Sequence, residues 1–233
     1  MQKHSGIILS RFKYSDTSLI VRILTRENGL ISGLVRGARK SKKKGFILQP
    51  GNIVDLTCRH KPGSELYTIT DYLIRHPYCD IPNNIVKSMM IVFLSEVVLK
   101  SLAEEIPDED LFNFVLSQFM TLDVEQKKEN MKTFHLHFLI RFAAELGFEP
   151  QTNFQKGMCF DAQSGSFSFN STQFDQETSE NFAHILDRTR ESPTSLGKQE
   201  RQSVLDLLLK YFDKQLSGMG ELKSLKVYQA ISE

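Results

Sequence analysis

Cysteine is scarce in this 233-residue chain: Cys58, Cys79 and Cys159 are isolated and odd in number. They form no CxxC pair, so a disulfide framework and the usual zinc-ligand spacings are both excluded. Long apolar runs are missing too. The most hydrophobic stretch, Ile85 to Ala103, is interrupted by Lys87, Glu96 and Lys100, which marks a buried helix rather than a membrane span. The first residues, MQKHSG, carry no apolar signal core, so a reduced, soluble, cytoplasmic protein is expected. Catalytic motifs are absent as well. The glycine run Gly29, Gly33, Gly37 lacks the GK[ST] ending of a phosphate-binding loop, and neither GxSxG nor HExxH occurs. His135 and His137 are two apart on a helix and face different ways, so they form no metal pair there. The carboxylates Asp108, Glu109 and Asp110 suit a helix start, and Asp16 and Asp55 have no evident carboxylate partner for two-metal chemistry. No enzymatic activity and no cofactor or metal are expected.

What is present is charge, unevenly spread. The net charge of +1 hides a basic segment, residues 1–80, with 14 Lys and Arg against 6 Asp and Glu, a balance of +8. Residues 81–233 hold 15 against 22, a balance of −7. The basic excess peaks in GLISGLVRGARKSKKKGFILQP, residues 29–50, where Arg36, Arg39, Lys40, Lys42, Lys43 and Lys44 fall within nine positions. No acidic residue occurs from Asn28 to Asn52. Like charges this dense repel one another unless a polyanion lies against them. Arg11, Lys13, Arg22 and Arg26 add to the charge nearby, and Phe12, Tyr14, Phe46, Tyr67 and Tyr72 are interleaved with it. Cations that track a backbone, with aromatics on which bases stack, suit a sequence-tolerant single-strand surface.

Periodicity divides the chain near residue 80. Before it, apolar residues alternate in five short runs: Gly6–Tyr14, Ser18–Thr25, Leu30–Arg36, Ile53–His60 and Glu65–Arg75. Asn28-Gly29 predicts a tight primed hairpin, and Gly33 a bulge or a close approach. Residues 36–50 are expected to be a basic loop. Val54, Leu56 and Cys58 share one face, so Cys58 is expected in the core. Five antiparallel-type strands in this length fit a small barrel of the OB type, with an SH3-like barrel fitting nearly as well. From Pro82 the period becomes helical. Helices are expected from Ile85, from Pro107 with a stripe of Leu111, Phe112, Val115 and Phe119, and over about 125–146. The last of these ends at Gly147. Two short strands are expected within residues 152–171, around Ser164-Gly165-Ser166. Helices follow over about 178–190, 198–216 and 224–231, with a break at Ser192-Pro193. The fold class is therefore α+β, a five-stranded OB barrel over residues 1–79 and a helical domain over 80–233 with a small irregular insert.

Three stretches resemble a known family. Tyr14-Ser15-Asp16-Thr17-Ser18-Leu19-Ile20-Val21, Leu24 to Gly29, and Arg36-Gly37-Ala38-Arg39-Lys40-Ser41 are similar to the N-terminal signature of the bacterial recombination mediators of the RecO family. FLIRFAAELGFEP, residues 138–150, and Leu222 to Lys226 are similar to later parts of it. Asp16 stands where that signature usually has glutamate. Many members carry a four-cysteine zinc module after the Leu-Gly-Phe helix. Only Cys159 remains of it here, which leaves a metal-free hairpin around Phe160, Phe167 and Phe169 as the expectation.

The resemblance implies a non-catalytic DNA repair and recombination protein, associated with the nucleoid. Such a protein binds single- and double-stranded DNA and anneals complementary strands. With RecR it helps RecA replace single-stranded DNA-binding protein. The DNA-binding candidates are Arg11, Arg22, Arg36, Arg39, Lys40, Lys42, Lys43, Lys44 and Phe46. The acidic helical part is expected to receive the tail of single-stranded DNA-binding protein, with Lys132 and Arg141 at the rim of the pocket. An RNA-binding barrel module, on rRNA or tRNA, and a scaffold that binds only proteins are the alternatives from the residues alone.

Overall fold

Five strands close a barrel in the order β1-β2-β3-β5-β4 in a computed structural model. The structure describes residues 2–187, 196–216 and 218–231, and only the backbone of Gln2, Lys42 and Lys43. The strands are β1 (Gln2–Lys13), β2 (Leu19–Thr25), β3 (Gly29–Val35), β4 (Ile53–Arg59) and β5 (Tyr67–His76). β1 pairs with β4 through residues 2–7 and with β2 through residues 6–13, and a register shift between Ile8 and Ser10 bends it from one partner to the other. β3 runs parallel to β5, which completes the closure. Antiparallel pairing everywhere else is what an OB barrel requires.

Alternation fills the barrel. Ile8, Val21, Ile23, Ile31, Val35, Val54, Leu56, Cys58, Tyr67 and Ile69 face inward and are buried. Each fully buried aliphatic side chain contributes about 1.5–3 kcal/mol. Gly33 is the expected close approach: a Cβ there would sit 2.9 Å from Ile69 Cγ1. Cys58 is wholly buried, and that burial pushes its thiol pKa up.

Two local expectations are corrected. The β2–β3 connection is not a two-residue primed turn. Thr25 pairs with Gly29 across three residues, and only Gly29 takes a left-handed conformation, at φ 65°. A longer loop closed by one such glycine is the next commonest hairpin. Thr25 holds it, its Oγ1 donating to the Gly29 carbonyl at 2.9 Å and accepting from Asn28 N–H at 3.1 Å. The basic segment is helical rather than a loop. A 3-10 turn at Ala38–Lys40 leads into α1 (Lys42–Ile47). Ala38 and Leu48 belong to the barrel core and Ile47 packs on it, so burial at the barrel end stabilises the turn and the helix.

The chain divides into two compact units, Met1–Val124 with Leu222–Ser232, and Glu125–Glu221. This differs from a divide at residues 79 and 80. The first unit includes α2 (Ile85–Ser101), α3 (Glu109–Val124) and α7 (Leu225–Ile231) beside the barrel. α2 starts at Asn84, whose Oδ1 accepts from the Val86 and Lys87 amides. It packs on β1, and Gly51 leaves room for Ile91. The expected α3 stripe of Leu111, Phe112, Val115 and Phe119 is buried.

Lys87 is 1% exposed and lies 2.7 Å from Asp80 Oδ2, with its ammonium donating to the Asp123 carbonyl at 2.8 Å. The Asp123 carboxylate accepts from the amides of Cys79, Asp80 and Ile81. Burial works to raise its pKa, but those three donors and the Lys87 charge outweigh it and hold the carboxyl below the usual range.

The second unit holds α4 (Lys128–Glu145), β6 (Cys159–Asp161), β7 (Ser166–Ser168), α5 (Gln176–Leu186) and α6 (Lys198–Gln215). α4 ends in a Schellman turn at Gly147, φ 83°, with Phe148 N–H on the Ala143 carbonyl and Gly147 N–H on that of Ala144. The β6–β7 hairpin is held by Phe160 and Phe167, which pair across it and pack against Phe182. Phe169 does not take part as expected. It lies beyond β7 and is 64% exposed. The helix expected to reach residue 190 ends earlier, at Leu186, where Asp187 is extended, and the expected break at Ser192-Pro193 lies outside the described residues.

Candidate nucleic-acid interface

One end of the barrel gathers most of the basic candidates. The β1–β2 turn and the segment after β3 are tied together there. Arg39 donates from Nη1 to the carbonyls of Ser15 and Asp16, at 2.9 and 2.8 Å, and its amide donates to the Thr17 carbonyl. Arg11 donates to the Gly45 carbonyl in α1. These contacts place Arg11, Arg36, Arg39, Lys40 and Lys44 on the surface of one region. Arg36 leaves β3 exposed, and Lys40 closes the 3-10 turn. Lys42 and Lys43 open α1.

α1 itself is built against its own electrostatics. Lys42, Lys43 and Lys44 occupy its first turn with no acidic residue, and cations at the positive end of a helix destabilise it. Ser41 caps it, its Oγ accepting from Lys44 N–H at a long 3.4 Å. The helix therefore rests on the apolar plug beneath, and an anion over its first turn would relieve the repulsion.

Three aromatic side chains stand open around this end: Phe12 at 51%, Tyr14 at 59% and Phe46 at 52% exposed. Exposed rings between cations are the arrangement on which bases stack. Tyr67, by contrast, is part of the barrel core, 6% exposed and stacked on His60 at 4.2 Å, so it is not available for stacking on a base. Burial pushes its hydroxyl pKa up, with a smaller effect from Glu105. Tyr72 is half-buried.

Arg22 is not brought to this end. It sits mid-strand on β2 between Ser10 and Ser32, half-buried, with Nη1 2.7 Å from Glu104 Oε1. Arg26 is held in the same way by Glu109 and Asn113, over the Phe112 ring. Sequence reasoning missed Glu104 and Glu109 as partners, because nothing local links them to β2. In the second unit, Lys132 and Arg141 are nine residues apart on α4, half a turn around its axis. They therefore do not share one pocket rim, and Lys132 is paired with Glu129 at 2.8 Å. Among the described residues no cluster of His, Cys, Asp and Glu could hold a metal ion, and no helix is long and apolar enough to cross a membrane.

A closed five-stranded barrel in this order, with a helix between its third and fourth strands and a basic, aromatic surface, defines an OB-fold protein. Comparison with known sequences places it more closely. Residues 1–78 match the family described as Recombination protein O N terminal, and residues 82–226 match Recombination protein O C terminal. The DNA repair protein RecO of Azobacteroides pseudotrichonymphae is 32% identical over 99% of both chains. Those of Flavobacterium psychrophilum and Phocaeicola vulgatus are 30% identical, over 98% and 99% of both chains respectively. The chain belongs to the RecO family, and its role is in DNA repair and recombination.

Proposed function

We propose that the chain is a recombination mediator that binds single- and double-stranded DNA at the α1 end of its barrel. It anneals complementary strands there and helps load RecA, with RecR, onto DNA coated with single-stranded DNA-binding protein. The observation that carries this reading is the set of exposed cations Arg11, Arg36, Arg39, Lys40 and Lys44 around α1, beside exposed Phe12, Tyr14 and Phe46. Annealing needs no covalent step. Cations that neutralise phosphates on two strands at once remove the repulsion that keeps the strands apart. The test is strand annealing on coated DNA with the native chain and with Arg39, Lys40, Lys42, Lys43 and Lys44 replaced by Ala. The variant is expected to keep its helical content and lose annealing. Native-level annealing and DNA affinity in the variant would remove this surface from the function, and a preference for structured RNA over DNA would replace the reading.

The second unit, in this reading, receives the acidic tail of single-stranded DNA-binding protein. Arg141 is the better placed of the two candidates, being exposed and unobstructed by an i,i+3 carboxylate of the kind that holds Lys132. Titrating the tail peptide against Arg141→Glu is expected to show at least about fivefold weaker binding, as for loss of one charge-assisted contact. Equal affinities would strike Arg141 from the interface.

A further inference from the structure

The face of β2 and β3 is where OB barrels commonly take an oligonucleotide, and in this chain that face is closed. Since Leu19, Val21 and Ile23 fill the barrel, alternation turns Ile20, Arg22 and Leu24 outward. Yet Ile20 and Leu24 are 8% and 2% exposed, and Leu30 on β3 is 1% exposed. The connection between α2 and α3 lies along this edge. Leu30 bridges to Glu104, and Glu105 N–H donates to the Leu30 carbonyl at 3.0 Å. Only glycine fits at position 29, because a Cβ there would collide with the Ile106 carbonyl.

The connection and the first turn of α3 are together strongly acidic, with Glu104, Glu105, Asp108, Glu109 and Asp110 within seven residues. Two of these carboxylates, Glu104 in the connection and Glu109 at the start of α3, meet the two arginines of the β2 edge. Arg22 Nη1 lies 2.7 Å from Glu104, and Arg26 Nη1 lies 3.7 Å from Glu109 while its Nη2 donates to Asn113 at 2.8 Å. The pairing is incomplete. The Nε atoms of both arginines are buried without a hydrogen-bond partner. A guanidinium fork offers donors to two oxygens of a phosphate, and single carboxylate oxygens satisfy only part of that capacity.

We propose that the α2–α3 connection, with the first turn of α3, is an internal phosphate mimic. It holds Arg22 and Arg26 out of use and confines nucleic acid to the α1 end until it is displaced. This rests on the DNA-binding reading above, and extends it by giving the β2 arginines a masked, second-stage role. Once Glu104 and Glu109 let go, two more phosphates gain partners.

Single-strand affinity and its salt dependence test the inference in the full chain. E104Q/E109Q is expected to bind about fivefold or more tightly, with a salt slope steeper by about 1.4, as two added phosphate contacts require. E105Q/D110N removes the same charge from the same acidic segment without freeing an arginine, and is expected to change affinity less than about twofold on the same scale. Adding R22Q/R26Q to E104Q/E109Q is expected to cancel the gain, whereas R22Q/R26Q alone leaves native affinity unchanged. Equal gains in the two acidic variants, no gain in E104Q/E109Q, or weakened binding by R22Q/R26Q alone would each overturn the masking. If E104Q/E109Q does not fold, the R22Q/R26Q comparison still decides. A native chain that binds no single strand would instead remove the DNA-binding reading itself.

Discussion

His135 lies inside α4, 5% exposed, where an imidazole can be kept only neutral. Burial, and then the positive charges of Arg201 and His137, push its pKa down to about 3. Its unfolded pKa is near 6.5. Between those values the unfolded chain binds a proton that the folded chain refuses. Stability is therefore full above about pH 6.5 and falls as pH drops toward 3, by up to about 1.4 kcal/mol per pH unit. Urea midpoints of His135→Gln against the native chain, measured from pH 7 to pH 4, are expected to show a flatter acid limb in the variant. Parallel limbs would remove His135 as the source. Asp123 acts in the same direction in more acid solution. Its folded carboxyl is depressed, so the three amides it binds lose their ionised acceptor as pH falls through that folded value.

At the scale of elements, α7 is remote in sequence but belongs to the barrel unit. Glu96, on α2, accepts from the amides of Lys223 and Ser224, at 3.0 and 2.8 Å, and from the Ser224 hydroxyl. Burial works to raise its pKa, but these hydrogen bonds and Lys100 prevail and lower it. Tyr228 then stacks on Phe93 at 5.0 Å with the rings parallel. Removing the chain from Leu222 onward would expose Phe93 and leave the Glu96 carboxylate unmatched. Loss of a buried aromatic partner costs about 3–5 kcal/mol. The truncated chain is therefore expected to melt its barrel unit earlier, while the Glu125–Glu221 unit holds. Amide hydrogen exchange read separately over β1–β5 and α4–α6 checks this, and unchanged protection of the barrel would show α7 to be dispensable.

For the whole molecule, a balance of +1 conceals what matters for a polyanion. At physiological salt, charges more than about 8 Å apart are largely screened. DNA therefore responds to the local field of α1 and the β1–β2 turn rather than to the sum over the chain. If about five phosphates are neutralised there, the single-strand slope is about −3.5, or roughly a hundredfold loss of affinity between 50 and 200 mM salt. The five-residue alanine variant of the annealing experiment is expected to lose most of that slope as well as the annealing. The same screening is why the acidic α2–α3 connection, with the first turn of α3, can act on Arg22 and Arg26 in contact while leaving the α1 surface basic.

Strand alternation, the switch to helical period after Pro82 and the basic run were all legible in the amino-acid order. So was the family, through residues 14–41. Each depends on neighbours within a few positions, where burial pattern and local charge are written directly into the chain. The helical form of residues 42–47 was not legible, since three lysines at a helix start argue against one, and only the apolar plug of Ala38, Ile47 and Leu48 at the barrel end overrides that. Nor was the burial of Tyr67 or the exposure of Phe169, whereas the separation of Lys132 from Arg141 around α4 already follows from their nine-residue spacing. Above all, the pairing of Arg22 with Glu104 joins residues 82 positions apart. Composition shows that both charges exist. Only the path of the chain, laid along β3 where Gly29 admits it, decides that one silences the other.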